Sequence, residues 1–247
     1  MPALYVFLRK KAPVSELFLV WRCIMNPDAK RKLLHLFFPT KCPVCGELIG
    51  AMDGFCAECS EKLKPSCNDA AIDGADGFCA AFVYDDTSSK AVFQLKDGAY
   101  GNAVYALGNA IADTLAEHGF DKNADVIIPV PLHSSAKRKR GCNQSELLAK
   151  QLSEFIGLPV DTSSVVKIRR TAPQKELSRA ERIVNLKDAF TVVMPENIKG
   201  KRVILLDDVC TTGSTLSEIT KILRNSGASA VYCAACCKTP PVSEQSK

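Results

Sequence analysis

Val203-Ile204-Leu205-Leu206-Asp207-Asp208-Val209-Cys210-Thr211-Thr212-Gly213-Ser214-Thr215 is an apolar run that ends in two carboxylates and then a hydroxyl-rich turn. Four consecutive aliphatic residues suit a strand buried on both faces of a parallel sheet, and Ser214 to Gly227 carries a helical pattern. The acids therefore fall where a strand ends. In open α/β sheets ligands collect at that edge, and a helix start offers an anion unpaired N–H groups and the positive end of its dipole. Thr211, Thr212, Ser214 and Thr215 add hydroxyls around Gly213, which lets backbone approach a phosphate closely. A phosphorylated sugar satisfies both halves. The carboxylates would accept from ribose hydroxyls while the turn holds the 5′-phosphate. The plain alternative is a buried strand whose acids merely cap the turn. No Gly-Lys-Ser/Thr follows, which argues against an NTPase P-loop.

The ordered segment resembles the phosphoribosyl-pyrophosphate (PRPP) motif of type I phosphoribosyltransferases. The surrounding composition is compatible with such a domain. With 47% hydrophobic residues in 247, the chain can bury a substantial core. The net charge of +5 is unevenly placed. Residues 1–41 carry eight Lys/Arg against Glu16 and Asp28, so residues 42–247 sum to −1. The globular part is not a uniformly basic nucleic-acid binder, and local basic clusters must carry any such role. No stretch is apolar for about 18 residues, and Arg9, Lys10 and Lys11 follow the first apolar run where a signal peptide would place them before it. A cytoplasmic protein without a membrane span is expected. Its twelve Cys then read as metal ligands and buried thiols rather than disulfides.

Cys42-Pro43-Val44-Cys45-Gly46 is followed, after ten residues counted from Gly46, by Cys56-Ala57-Glu58-Cys59. Two C-x-x-C pairs at this separation can present four thiolates tetrahedrally, and a segment too small for its own core would need that ion to fold. Cys42, Cys45, Cys56 and Cys59 are the expected ligands of structural zinc. Gly46 permits the tight knuckle that turns amides towards the sulfurs. A redox dithiol is the rival reading, and an iron–sulfur cluster is compatible in principle. Four Cys ligands leave no open position for catalysis. Cys23, Cys67, Cys79, Cys142, Cys210, Cys233, Cys236 and Cys237 read as packing residues.

Lys32 to Pro39 reads as a short amphipathic helix, stopped before the proline and packed on the zinc module. Glu61 to Ala75 reads as a linker, Phe78 to Tyr84 as a strand, and Ser88–Asp97 and Ala103–His118 as helices broken at Gly98 and Gly101. Asp125 to Leu132 is a buried-type strand, and Gln144 to Ile156 the helix after it. The loop between them, Pro131 to Gln144, packs four cations into Lys137-Arg138-Lys139-Arg140. At a strand end it should face the crevice of Asp207 and Asp208, where Leu132, His133, Arg138 and Arg140 would contact a diphosphate that also carries Mg²⁺. A solvated basic loop, or a patch for DNA or RNA phosphates, is the alternative. His133 reads as shaping the loop. Between Lys167 and Lys187 a second basic stretch supplies Arg169, Arg170 and Lys175 as lid candidates, with Ser178 and Glu181 a capping-box start for a helix towards Leu186. An ordinary exposed loop is the competing view.

The zinc knuckle, the Pro-Val-Pro-Leu loop with Arg-Gly-Cys-Asn-Gln, the Gln174/Arg179/Arg182/Asn185 region, Ala189-Phe190 and the Asp-Asp-Val-Cys-Thr-Thr-Gly-Ser-Thr segment together resemble the ComF competence proteins. The resemblance runs from about Leu33 to Lys238. It implies an α/β chain with the type I phosphoribosyltransferase fold, an open and mainly parallel sheet flanked by helices, behind a small N-terminal four-cysteine zinc module. The expected organisation is an extension over 1–31, helix and zinc module over 32–64, a linker over 65–77, the phosphoribosyltransferase-like domain over 78–240 and a tail over 241–247. The first 24 residues lie outside the resemblance, and Met25 is an alternative start. The resemblance also implies a role in natural transformation, handling single-stranded DNA beside the competence helicase or recombination proteins. Asp207 and Asp208 match the ribose-binding acids, and Thr211 to Thr215 the 5′-phosphate loop. Two activities are compatible. One is a binding module for PRPP or a related phosphorylated ribose or nucleotide. The other is an active transferase in which a nitrogen nucleophile displaces pyrophosphate, with Asp207 and Asp208 as the catalytic acids that fix the ribose. No segment marks a nucleobase pocket.

Overall fold

Strand β5 (Arg202–Cys210) is the axis of the fold. It lies between β2 (Val126–Pro129) and β6 (Ala230–Lys238), and β1 (Gly77–Val83) completes a four-stranded parallel sheet in the order β1-β6-β5-β2. The computed structural model describes residues 27–66, 71–95, 102–135, 138, 141–171 and 185–240. Alternation along β5 explains its unbroken apolar run. Val203 and Leu205 enter one core, with Leu216, Ile219 and Leu223 of helix α6 (Ser214–Asn225). Ile204 and Leu206 enter the other, with Leu107 and Ile111 of helix α4 (Asn102–Glu117) and Leu148 and Leu152 of helix α5 (Gln144–Ile156). Both faces are dry, as in a doubly covered parallel sheet. Helix α3 (Ser88–Gln94) buries Ala91 and Val92 in the second core.

These two layers position the site. The helix after β2 covers one face and the helix after β5 covers the other, so the adjacent strands β2 and β5 form a topological switch point, where the strand ends open a crevice. Pairing with β2 stops at Pro129↔Leu206, while β6 continues alongside β5 to Cys210↔Lys238. The acids expected at a strand terminus are thus inside β5, but beyond the reach of its β2 neighbour. A short antiparallel pair, β3 (Val165–Lys167) and β4 (Phe190–Val192), packs Val165 and Phe190 into the first core.

The chain divides into two compact units, Met1–Thr40 with Leu48–Asp53, and Lys41–Glu47 with Gly54–Lys247. In the first, helix α1 (Pro27–Phe37) begins five residues before the expected Lys32, with Pro27 at its first position and Asp28 in its first turn. It ends two residues before Pro39, consistent with the restricted backbone ahead of proline. None of its residues is buried. Residues 172–184, with Lys175 and the capping-box helix start, and residues 96–101, with Gly98 and Gly101, lie outside the described set.

Candidate functional site

The metal centre is built by a knuckle and a helix start. Cys42 N–H donates to Glu47 O at 2.8 Å and Gly46 N–H to Cys42 O at 2.9 Å, with Gly46 at φ +82°, which a side-chain-bearing residue adopts only at a cost. Cys56 precedes helix α2 (Ala57–Lys62), and Cys59 sits within it. The four sulfurs lie within 4.8 Å of one another, and Cys45 and Cys56 are 3.6 Å apart. A tetrahedral ion with Zn–S bonds of about 2.3 Å requires sulfur separations of about 3.8 Å, so the donor set fits zinc. The thiols respond unequally to their setting. Burial raises Cys42, but the amides of Cys56, Cys45 and Val44 outweigh it and lower the thiol to about 7. Burial and then the neighbouring sulfurs push Cys59 up. Four thiolates in so small a volume repel one another, and a dication removes that cost.

The second site is the end of β5. Asp207 Oδ1 accepts from the Ser145 hydroxyl at 3.1 Å and from the Asp208 N–H at 2.9 Å. Asp208 Oδ1 accepts from the Val209 N–H at 2.8 Å. Burial, and then the charge of Asp208, push the Asp207 carboxyl well above the usual range, against the pull of the Asp208 amide and Ser145. The turn after the two acids is supported from below. Lys238 Nζ, on the last residue of β6, donates to Thr211 O at 2.7 Å and lies 3.6 Å from Cys210 Sγ. Gly213 sits at φ +78° and is followed by the first residue of α6. Thr212 Oγ1 and Ser214 Oγ share a 2.8 Å hydrogen bond, and Ser214 N–H reaches Thr212 Oγ1 only at 3.4 Å. Cys210 is buried and raised to about 11 by desolvation, despite Lys238 and the Gly213 amide. Its buried side chain packs in the first core under the turn.

Helix α5, which follows the loop after β2, reaches Asp207 through its second residue, Ser145, whereas the cavity beside that loop is lined by neither Asp207, Asp208 nor the hydroxyl turn. Asn143 anchors the loop's end by donating to Val130 O at 3.0 Å. His133 Nδ1 accepts from the Ser135 N–H at 3.3 Å and pairs with Ser135 Oγ at 2.8 Å, the expected loop-shaping role. Leu132 and Ser134 line a cavity of about 230 Å³ together with Pro129, Asn143, Glu146 and Lys167. Arg138 is exposed, and Arg140 lies outside the described residues. Of the lid candidates, Arg169 donates to Asn185 O at 2.9 Å and Lys187 O at 2.6 Å, which ties together the two sides of the segment it opens. Arg170 is exposed.

Families matching the chain are the phosphoribosyl transferase domain, over residues 100–245, and the double zinc ribbon domain, over residues 33–81. Competence protein F of Haemophilus influenzae is 42% identical over 119 residues, covering 48% of this chain and 52% of that protein. The DNA utilization protein YhgH of Salmonella typhi is 31% identical over 201 residues, covering 80% and 84%. The chain belongs to the ComF family. Competence protein ComFC of Bacillus subtilis is a more distant member, 24% identical over 217 residues and covering 85% of each chain. The chain spans about half the length of several relatives it matches, the Haemophilus protein among them. The phosphoribosyltransferase-type sheet, the four-Cys ribbon and the order of motifs are therefore those of ComF.

Three residues of this ComF site escaped the sequence reading. Ser145 is one serine in a helix start, and nothing local announces that it reaches across 62 positions to Asp207. Lys238 looks like the charged end of a strand. Lys167 is a half-buried ammonium that donates to Thr171 Oγ1 at 2.8 Å and lies 5.2 Å from the Phe190 ring centre. Burial lowers it while the charge of Asp207 opposes the shift. Beside Ser145, buried Gln144 has an Nε2 without a partner among the described residues.

Proposed function

We propose that this ComF protein binds PRPP, or a related phosphorylated ribose or nucleotide, at the end of β5 and uses that site in the cytoplasm during DNA uptake. One observation carries the reading. Two carboxylates stand where β2 has ended, at a switch point, and run directly into a Lys238-braced hydroxyl turn at the start of α6. Asp207 and Asp208 would accept from the ribose hydroxyls, with Ser145 keeping one Asp207 oxygen in place. Thr211, Thr212, Ser214 and Thr215 would surround the 5′-phosphate, with the glycine at position 213 leaving room for it. The loop of Leu132 and Ser134 would take the diphosphate end, with Lys167 supplying positive charge. Asp207, Asp208 and, along the cavity, Glu146 offer oxygen donors suited to Mg²⁺, few enough to leave most of its positions to water and phosphate oxygens. The names of the relatives, competence protein and DNA utilization protein, support the DNA context.

The test titrates purified protein separately with PRPP plus Mg²⁺ and with single-stranded DNA, alongside Asp207→Ala/Asp208→Ala. Loss of PRPP affinity with DNA binding retained is the expected result. Wild-type protein that binds no phosphorylated ribose would end the proposal.

A further inference from the structure

Helix α1 is turned inside out. At 100° per residue Leu33, Leu34, Leu36 and Phe37 fall within one arc of about 160°, whereas Arg31 and His35 lie opposite. The polar side faces its own unit: Arg31 Nε donates to Ala51 O at 2.5 Å, and His35 Nδ1 accepts from the Thr40 N–H at 3.0 Å. The apolar side faces solvent. Leu36, Phe37 and Phe38 are 73%, 74% and 75% exposed, Leu48 is 63% exposed, and Leu33 and Leu34 are also exposed. Contiguous apolar surface of this kind marks an interaction site. Cations frame it, with Lys30 inside the arc near its N-terminal end and Lys32 at its border.

We propose that this face of α1 binds in the plane of an anionic lipid bilayer, with the leucines and phenylalanines seated among the acyl chains and Lys30 and Lys32 among the headgroups. Charge selects the partner's sign. Residues 1–41 hold the chain's whole positive excess, eight Lys/Arg against two acids, while the rest is slightly negative. The character of the apolar residues selects lipid over nucleic acid. Bases stack on aromatic rings, but four of the six exposed side chains are leucines, which gain from hydrocarbon and not from base faces. A strongly amphipathic helix of modest overall hydrophobicity flanked by lysines suits a helix lying on a surface. No described helix is long and apolar enough to cross the membrane. The use of this face does not depend on what the β5 site holds.

The experiment uses the full chain, zinc-loaded, in flotation with vesicles of equimolar phosphatidylglycerol and phosphatidylcholine, and with phosphatidylcholine vesicles as the neutral control. Wild type should float with the anionic vesicles and much less with the neutral ones. Leu36→Glu/Phe37→Glu should weaken partitioning by more than about 100-fold, since two apolar anchors are lost. Lys30→Glu/Lys32→Glu, a pair of which neither is buried and which bears little on folding, should weaken it by about 25-fold, roughly 5-fold for each cation near the surface. Zinc content and thermal unfolding check that each variant is folded. Equal flotation on neutral vesicles, no flotation of wild type, or variants that float like wild type would each overturn the proposal. So would oligo-dT binding lost in the same variants without any vesicle binding, which would make the face a DNA site. A concentration-dependent dimer dispersed by Leu36→Glu/Phe37→Glu, again without vesicle binding, would make it a self-association surface.

Discussion

Replacing Gly213 with Ala probes the phosphate turn at its tightest point. At φ +78° an added Cβ would stand 2.6 Å from Ile72 Cδ1 and 4.0 Å from Cys210 Sγ. The left-handed backbone costs an alanine roughly 1–2 kcal/mol. The Ile72 contact is too short to keep, and moving this buried side chain off its rotamer adds about 0.5–1.5 kcal/mol. Gly213→Ala should therefore destabilise the zinc-loaded protein by roughly 1.5–3.5 kcal/mol, which lowers a urea midpoint by on the order of 1 M. Ile72→Val removes the clashing carbon and alone should cost about 0.5–1.5 kcal/mol. In the Gly213→Ala background the new methyl occupies that space, so the double mutant should beat additivity by about 0.5–1.5 kcal/mol. Urea unfolding of all four proteins at unchanged m-value measures the cycle. PRPP affinity should fall in both proteins that carry Gly213→Ala, because easing the core contact does not clear the phosphate side. A single mutant within about 0.5 kcal/mol of wild type, or strict additivity, would refute the placement of the turn over Ile72.

Asp207→Asn keeps an acceptor for Ser145 and Asp208 while removing a half-buried charge beside Asp208, so it should abolish phosphorylated-ribose binding yet stabilise the fold at neutral pH. The folded carboxyl is raised, so its penalty is absent below the unfolded value of about 4 and grows as pH rises above it. Melting curves should converge at the acid end, and a variant less stable at pH 7 would contradict the burial argument. Asp125 is held down to about 2 by its side-chain and backbone bonds to Arg202. Its contribution is complete above the unfolded value and fades as pH falls towards 2. With the Arg202 side chain 41% exposed, solvent screening limits the loss in Asp125→Asn to about 1 kcal/mol at pH 7, and equal losses at acid pH would count against the pair. Metal analysis should return one zinc per chain at the ribbon, with Cys42, Cys45, Cys56 and Cys59 protected from alkylation until a chelator is added. Free alkylation of Cys42 and Cys59 in the native protein would remove the metal from the account.

Much of the ComF fold was legible along the chain because the decisive signals are local. The unbroken Val203–Leu206 run predicts a strand covered on both sides, and two dry cores meet at it. Gln144–Ile156 has a helix period bounded by a loop and Gly157, and the helix has those limits. The two C-x-x-C pairs set ligand number and spacing by themselves, because a knuckle and one helical turn are built from neighbours. Boundaries were less secure. Helix α1 extends back to Pro27 because proline suits a first turn, although the apolar pattern begins later.

What the amino-acid order determined alone is the chemistry on offer: paired carboxylates, a hydroxyl turn opened by a glycine, four thiolates and an N-terminal concentration of cations. Which of these groups act together was decided by tertiary structure. Ser145 reaches Asp207 only because α5 and β5 converge at the switch point, and Lys238 braces Thr211 only because β6 outruns β2 beside β5. The outward turn of α1 has the same origin. An amphipathic pattern states that a helix has an apolar side, but only the hydrogen bonds of Arg31 and His35 to their own unit decide which way that side looks. Apart from the short-range His35–Thr40 bond, these contacts join positions 20 to 62 residues apart, and no local propensity encodes them.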